Sequence, residues 1–136
     1  MELDAARTFL RNNSRSVLAT TRGDGRPQMS PVVHGIGEDG SVLISSRETA
    51  YKVRNLRRDP RASLCAMPDG FFGEWIQLDG RADIVSLPDA MEMLVDHYRM
   101  LQGEHPDWDE YRQAMARDQR CMIRISIERA GPDRHG

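Results

Sequence analysis

A β-prone run ending in Ser45 and Ser46 leads into Arg47-Glu48-Thr49-Ala50-Tyr51-Lys52 and on to Val53-Arg54-Asn55-Leu56-Arg57-Arg58-Asp59-Pro60-Arg61. Serine hydroxyls, the backbone N–H groups of a helix start and a cation in its first turn together make a phosphate cradle, because all can donate toward one point. The same stretch also reads as a solvated, arginine-rich surface helix, the usual fate of a charge run, and spacing alone leaves both readings open.

Other chemistry is absent from the pattern. The four histidines, His34, His97, His105 and His135, have no H-E-x-x-H or similar spacing, so they read as structural or solvent-facing and no metal is expected. No Walker loop, G-x-G-x-x-G or Ser-His-Asp arrangement stands out. Cys65 and Cys121 lie in separate apolar runs without C-x-x-C spacing and read as buried structural thiols. Net charge is −2, although eighteen of the nineteen basic residues are arginine and only Lys52 is lysine. A nucleic-acid binder normally carries a basic excess, so that class is set aside. No run reaches the roughly 18 apolar residues of a membrane span, and the start, Met1-Glu2-Leu3-Asp4, has no leader character, which points to a cytoplasmic protein.

The elements that must position the cradle follow from periodicity. Leu3, Ala6, Phe9 and Leu10 predict an amphipathic helix over 3–13. Strands are predicted at 16–21 and 29–36 around the turn cluster 23–27, with Pro31 marking the second as an edge or bulged strand. Asp39-Gly40 predicts a type I′ hairpin into a strand at 41–46, so three antiparallel strands open the chain. A short helix over 49–58 turns Val53 and Leu56 inward and is closed by Asp59-Pro60. Strands at 62–67 and 75–85 follow, the second bent at Gly80, with Phe71 and Phe72 in the loop between them. A helix beginning at Pro88 and ending near Gly103 carries Met91, Leu94, Tyr98 and Leu101 on one stripe. Asp107 caps another that holds Trp108, Tyr111 and Met115, and Tyr98 and Trp108 read as core. A half-buried strand at 121–127 ends the pattern, and residues after Gly131 read as frayed. Six antiparallel strands in a single domain of 136 residues leave edges that favour closure, so the expected fold is mainly β, a small barrel with peripheral helices.

Three segments carry a resemblance: Asp24-Gly25-Arg26-Pro27, the run from Lys52 to Ala62, and Gly103-Glu104-His105-Pro106-Asp107-Trp108 continuing through Met115. The chain resembles the actinobacterial, coenzyme F-420-dependent branch of the pyridoxamine-phosphate-oxidase-like split β-barrel proteins. The resemblance implies a six-stranded antiparallel split barrel and a homodimer with cofactor sites at the subunit interface. It also implies a deazaflavin-dependent oxidoreductase passing hydride to an electrophilic small molecule, with no obligatory catalytic side chain. An FMN-dependent oxidoreductase and a non-catalytic cofactor carrier are the alternatives. Carried over by position, Ser45, Ser46, Arg47 and Lys52 hold the cofactor phosphate, with Asn55 in the same set. Gln28 and Ser30 line the ring system, and Trp75 approaches from the other subunit. His34 lies on the strand that faces the cofactor.

The chain departs from true pyridoxamine-phosphate oxidases in lacking the Arg-x-x-Leu-Leu-Lys and Trp-Arg-Leu motifs; Gln28-Met29-Ser30-Pro31-Val32-Val33 and Arg124-Ile125-Ser126-Ile127 stand instead. Vitamin B6 oxidation is therefore not expected. Ala50 stands where relatives can place an arginine, and Arg47 is the nearest cation to replace it. Arg54, Arg58 and Arg61 share a face that reads either as a site for a polyglutamate tail or as paired surface charge.

Overall fold

The computed structural model describes residues 1–131; the C-terminal residues expected to fray lie outside this range. Four helices, α1 (Leu3–Asn12), α2 (Tyr51–Arg58), α3 (Ala90–Gln102) and α4 (Trp108–Arg117), surround seven strands. The strands are β1 (Arg15–Thr21), β2 (Pro27–Val33), β3 (Gly35–Ile36), β4 (Val42–Arg47), β5 (Arg61–Met67), β6 (Ile76–Val85) and β7 (Arg120–Gly131). All pair antiparallel in one curled sheet of order β2-β1-β5-β6-β7-β4-β3. This is the expected split barrel, with seven strands in place of six.

The additional strand arises at His34, where the run predicted as one strand over 29–36 divides. Residues 27–33 pair with β1, whereas Gly35 and Ile36 pair with Leu43 and Val42 of β4. The two ends of the sheet are thus one continuous piece of chain, and the opening strands do not form a simple meander. A seam remains between β2 and the later residues of β4.

His34 holds that junction. Its side chain is fully buried, its Nε2–H donates to the Leu10 carbonyl at 3.0 Å and its Nδ1 accepts from Ser16 Oγ. Leu10 lies in the last turn of α1, where carbonyls have no helical partner, so the imidazole supplies the missing donor. Burial pushes the His34 pKa down, against hydrogen bonds to the α1 end that raise it. His34 therefore faces the interior and not a cofactor groove.

The interior is filled by alternate residues of the strands, including Leu18, Ile44, Leu64, Leu78, Ile123 and Ile125, together with Ala6 and Leu10 of α1 and Val53 and Leu56 of α2. Each fully buried aliphatic side chain contributes about 1.5–3 kcal/mol of transfer free energy. A second cluster lies outside the barrel wall, where Leu43 and Met122 meet Leu94, Val95 and Tyr111 of α3 and α4.

Local corrections have simple causes. In the turn at 37–40, Gly40 N–H donates to the Gly37 carbonyl and Gly40 alone takes positive φ (+84°), while Asp39 instead accepts from Ser41 N–H. That is a type I turn followed by a left-handed glycine, not type I′. Helix α3 starts at Ala90, with Pro88 in the turn before it. Its inner face is Ala90, Leu94, Val95 and His97, a rotation from the predicted stripe that brings His97 inside. Cys121 is buried and Cys65 is only partly so; burial raises both thiols, Cys121 to about 11. No helix among the described residues is long and apolar enough to cross a membrane, and no group of three His, Cys, Asp or Glu residues there is placed to hold a metal.

Candidate functional site

The end of β4 places Ser45 and Ser46 beside the start of α2. Ala50 is the residue that precedes the first turn of α2, and it makes no side-chain cap; no acidic residue stands in that turn. Helix starts normally have Ser, Thr, Asp or Asn here, so the free N–H groups of α2 are left for something else to accept. A hollow of about 400 Å³ at this point is lined by Ser45, Ser46, Arg47, Thr49, Ala50 and Lys52, with Arg120 from β7.

Arg120 is the member that sequence reading missed. It sits directly opposite Arg47 in the β4–β7 register, so the two guanidinium groups leave the same face of the sheet. Like charges directly opposite on paired strands are destabilising. The Arg120 Nε is buried without a hydrogen-bond partner. No ion pair among the described residues engages Arg47, Lys52 or Arg120. Glu48, the nearest acid in sequence, is turned away: it accepts from Ser86 at 2.6 Å and pairs with Arg57 at 2.6 Å. Burial pushes the Glu48 carboxyl up, but Ser86 and Arg57 together hold it below its ordinary range. The hollow is therefore an uncompensated concentration of positive charge and N–H donors. The sequence signal for Arg120 was its position one residue before the apolar alternation of the last strand, which the predicted start at 121 left out.

Ser45, Lys52 and Arg120 also line an adjoining groove of about 570 Å³, within the range of small-molecule sites. The groove occupies the seam. Pro31, Val32 and Val33 of β2 form one wall, Ser45 the floor, and His97, Tyr98 and Leu101 of α3 with Tyr111 and Met115 of α4 the other wall. Tyr111 is fixed by donating its hydroxyl to the Leu94 carbonyl at 2.9 Å, and it packs among Tyr98, His105 and Trp108. The structure thus joins a cationic cradle to a partly aromatic slot.

Four sequence-predicted site residues, Ser45, Ser46, Arg47 and Lys52, come together there. The others do not. Asn55 is buried in a separate network, donating to Thr20 Oγ1 at 3.1 Å and accepting from Arg58 at 2.9 Å. Gln28 and Ser30 stand opposite the buried Thr20 and Leu18, on the inner face of β2, whereas the groove takes its wall from residues 31–33. Trp75 is 46% exposed just before β6, outside the groove. The arginine face is mostly spent: Arg58 donates to the Thr21 carbonyl at 2.8 Å as well as to Asn55, and Arg61 holds Asp59 through two guanidinium nitrogens, keeping that carboxyl down at about 2. The paired-charge reading holds for Arg61, whereas Arg58 is engaged by neutral acceptors.

A larger hollow of about 690 Å³ lies over β1, β5 and β6. Much of its charge is already engaged, with Asp79 accepting from Ser63 at 2.6 Å and from Arg129 at 2.7 Å, and Arg61 held by Asp59.

His97 gives a pH signature. Burial, with a smaller contribution from His34, pushes its pKa down to about 4 from 6.5. The native state resists protonation that the unfolded chain accepts, so stability is complete above pH 6.5 and falls as pH drops toward 4. Urea unfolding at pH 5.5 should show a loss of about 1 kcal/mol from this residue relative to pH 7, and His97→Gln should reduce the difference by about that amount, leaving the part that buried His34 contributes. An unchanged midpoint between the two pH values would contradict the burial of a neutral imidazole.

The chain has relatives of known structure. It aligns with a conserved hypothetical protein, Rv2991, from Mycobacterium tuberculosis at 22% identity and a TM-score of 0.78, over 96% of this chain and 82% of that one. An F-420 reductase aligns at 19% identity and 0.69, over 92% and 94% of the two chains. A pyridoxamine 5'-phosphate oxidase-related, FMN binding protein from Nostoc punctiforme aligns at 18% and 0.68, over 93% and 80%. At these identities the structures establish the fold. The pyridoxamine 5'-phosphate oxidase family model, however, matches residues 3–132, nearly the whole sequence, and the chain belongs to that family.

Proposed function

We propose that the chain is an oxidoreductase whose seam binds a phosphate-bearing tricyclic coenzyme, coenzyme F-420 as the first choice and FMN as the second. The observation that carries this reading is the Arg47–Arg120 juxtaposition beside an uncapped helix start, with the Arg120 Nε buried and unpartnered. An anion there relieves the repulsion and supplies the missing acceptors at once. The groove suits the ring, since Pro31, Val33, Tyr98 and Met115 offer apolar and aromatic faces next to that anion site. When bound, such a coenzyme supplies hydride transfer to an electrophilic small molecule. The chain's own residues anchor the phosphate at Ser45, Ser46, Lys52 and Arg120, orient the ring and keep water off one side of it. Both coenzymes share the ring shape and the phosphate, so the cradle alone favours neither.

A homodimer belongs to the same proposal. The outer face of β1, β2 and β5 carries Val17, Ala19, Met29, Val33, Cys65 and Met67 in register, with Met29 and Val33 at 65% and 52% exposure. This largely apolar sheet face, with Arg15 between Val33 and Met67 and paired with Asp69, is continued by exposed Phe71, Phe72 and Trp75 and is suited to a second copy. Sedimentation equilibrium tests it, and a monomer at micromolar concentration would remove it.

Fluorescence titration of the purified protein with coenzyme F-420 and with FMN tests the coenzyme reading. Binding of one at micromolar levels is expected, and Lys52→Ala should weaken it about 10-fold, the loss of one charge-assisted contact. No binding of either rules the reading out. Tight binding without turnover of any quinone, enone or tetrapyrrole acceptor would identify a carrier in place of an enzyme.

A further inference from the structure

We infer that His97 is a hydrogen-bond donor built into the groove wall, set to read an acceptor on the end of the bound ring farthest from the cradle. This rests on the coenzyme reading above and adds a residue that none of the sequence motifs points to.

The imidazole is 6% exposed, and its Nδ1 is buried with no partner. That edge is sealed by Gly35, where a Cβ would stand 3.2 Å from Nδ1 and 3.0 Å from Met100 Cε. His97 nevertheless lines the groove, so its opposite edge, bearing Nε2, is the one that reaches it. A buried N–H without a partner is rarer than an unmet lone pair. The proton therefore sits on Nε2, facing the groove, and the bare lone pair sits against Gly35. The ring stays neutral because every nearby ionisable group opposes a second proton or is already engaged. His34 is occupied by Ser16 and Leu10, and Tyr111 by the Leu94 carbonyl. Tyr98 shares the wall, and Lys52 and Arg120 are cations at the groove's other end.

Strand register sets the separation. Gly35, which His97 covers, pairs with Leu43, whereas the cradle lies beside Arg47 on the same strand. Four residues of extended chain span about 13 Å. A ligand whose phosphate sat in the cradle and whose ring ran along the seam would have its far edge near His97. A neutral donor there favours a carbonyl acceptor and disfavours a ring edge that offers only donors or hydrocarbon.

Three measurements decide the matter. Nitrogen NMR of the coenzyme-free protein should show His97 as the Nε2–H tautomer, and an Nδ1–H tautomer would overturn the inference. His97→Leu should weaken coenzyme binding about 10-fold, while His97→Gln, whose amide N–H approximates Nε2–H, should restore it to within about 3-fold. Inorganic phosphate should protect both variants from thermal unfolding as well as it protects the wild type. If the wild type binds a coenzyme and folded His97→Leu binds it equally, this inference fails and the coenzyme reading stands; if the wild type binds neither, both fail.

Discussion

Arg120→Ala should weaken coenzyme binding by about 10- to 100-fold and yet leave the coenzyme-free protein as stable as before, or more stable. The loss follows from removing a charge-assisted contact worth about 1.5–3 kcal/mol. The opposite sign for the free protein follows from the register: Arg47 faces Arg120 across β4 and β7, and no carboxylate among the described residues pairs with either. Removing one member relieves a like-charge contact and also the buried, unmatched Nε. Coenzyme titration and urea unfolding on the same preparation test both halves. A variant that binds normally would move the anion elsewhere, and one that unfolds readily without ligand would make Arg120 a structural residue. Added salt should raise the stability of the wild type more than that of the variant, because screening acts on the repulsion that the variant lacks.

Gly80→Ala should be the most damaging small substitution in the barrel. A Cβ at this position would lie 2.2 Å from the Ser126 carbonyl oxygen and 2.9 Å from Ile125 Cγ2. The obstacle is backbone, which cannot rotate away as a side chain can. Gly80 sits at the irregularity between Asp79 and Gly80 where β6 changes register against β7. Forcing the strands apart there costs about 3 kcal/mol or more, equivalent to a fall in Tm of roughly 10 °C. Gly70→Ala is the control, since nothing stands within 4 Å of its Cβ. Equal melting temperatures for the two variants would show that the close approach at Gly80 is not needed.

Much of this fold was legible because its signals are local. The alternation in the strand runs, the bend at Gly80, the inward Val53 and Leu56 and the edge character that Pro31 gives β2 all appear in the structure. The failures come from long-range geometry. Nothing local says that the chain changes pairing partners at His34, because both sides of that residue are equally β-prone; the change is fixed by Ser16 and Leu10, far away in sequence. Helix α3 is rotated so that His97 packs against Gly35, a contact between distant residues that the helix pattern does not carry. The cradle was readable on one strand and one helix, but Arg120 enters from the last strand, and only pairing reveals it. Arg58 likewise read as either tail-binding or paired surface charge, and only the packing of α2 against β1 gives it the Thr21 carbonyl.

The prolines of β2 bear on why there is a slot at all. Beyond the short β3 contact, Ile44 to Arg47 are bridged to β7 alone, and β2 is bridged to β1 alone. Two unsatisfied strand borders placed side by side would ordinarily zip together into a full cylinder. Pro27 and Pro31 withdraw two amide hydrogens from the seven residues of β2, interrupting any ladder it might extend. The open seam in this molecule is thus a product of arrested closure: a residue with an amide hydrogen in place of Pro31 would restore one donor to that border.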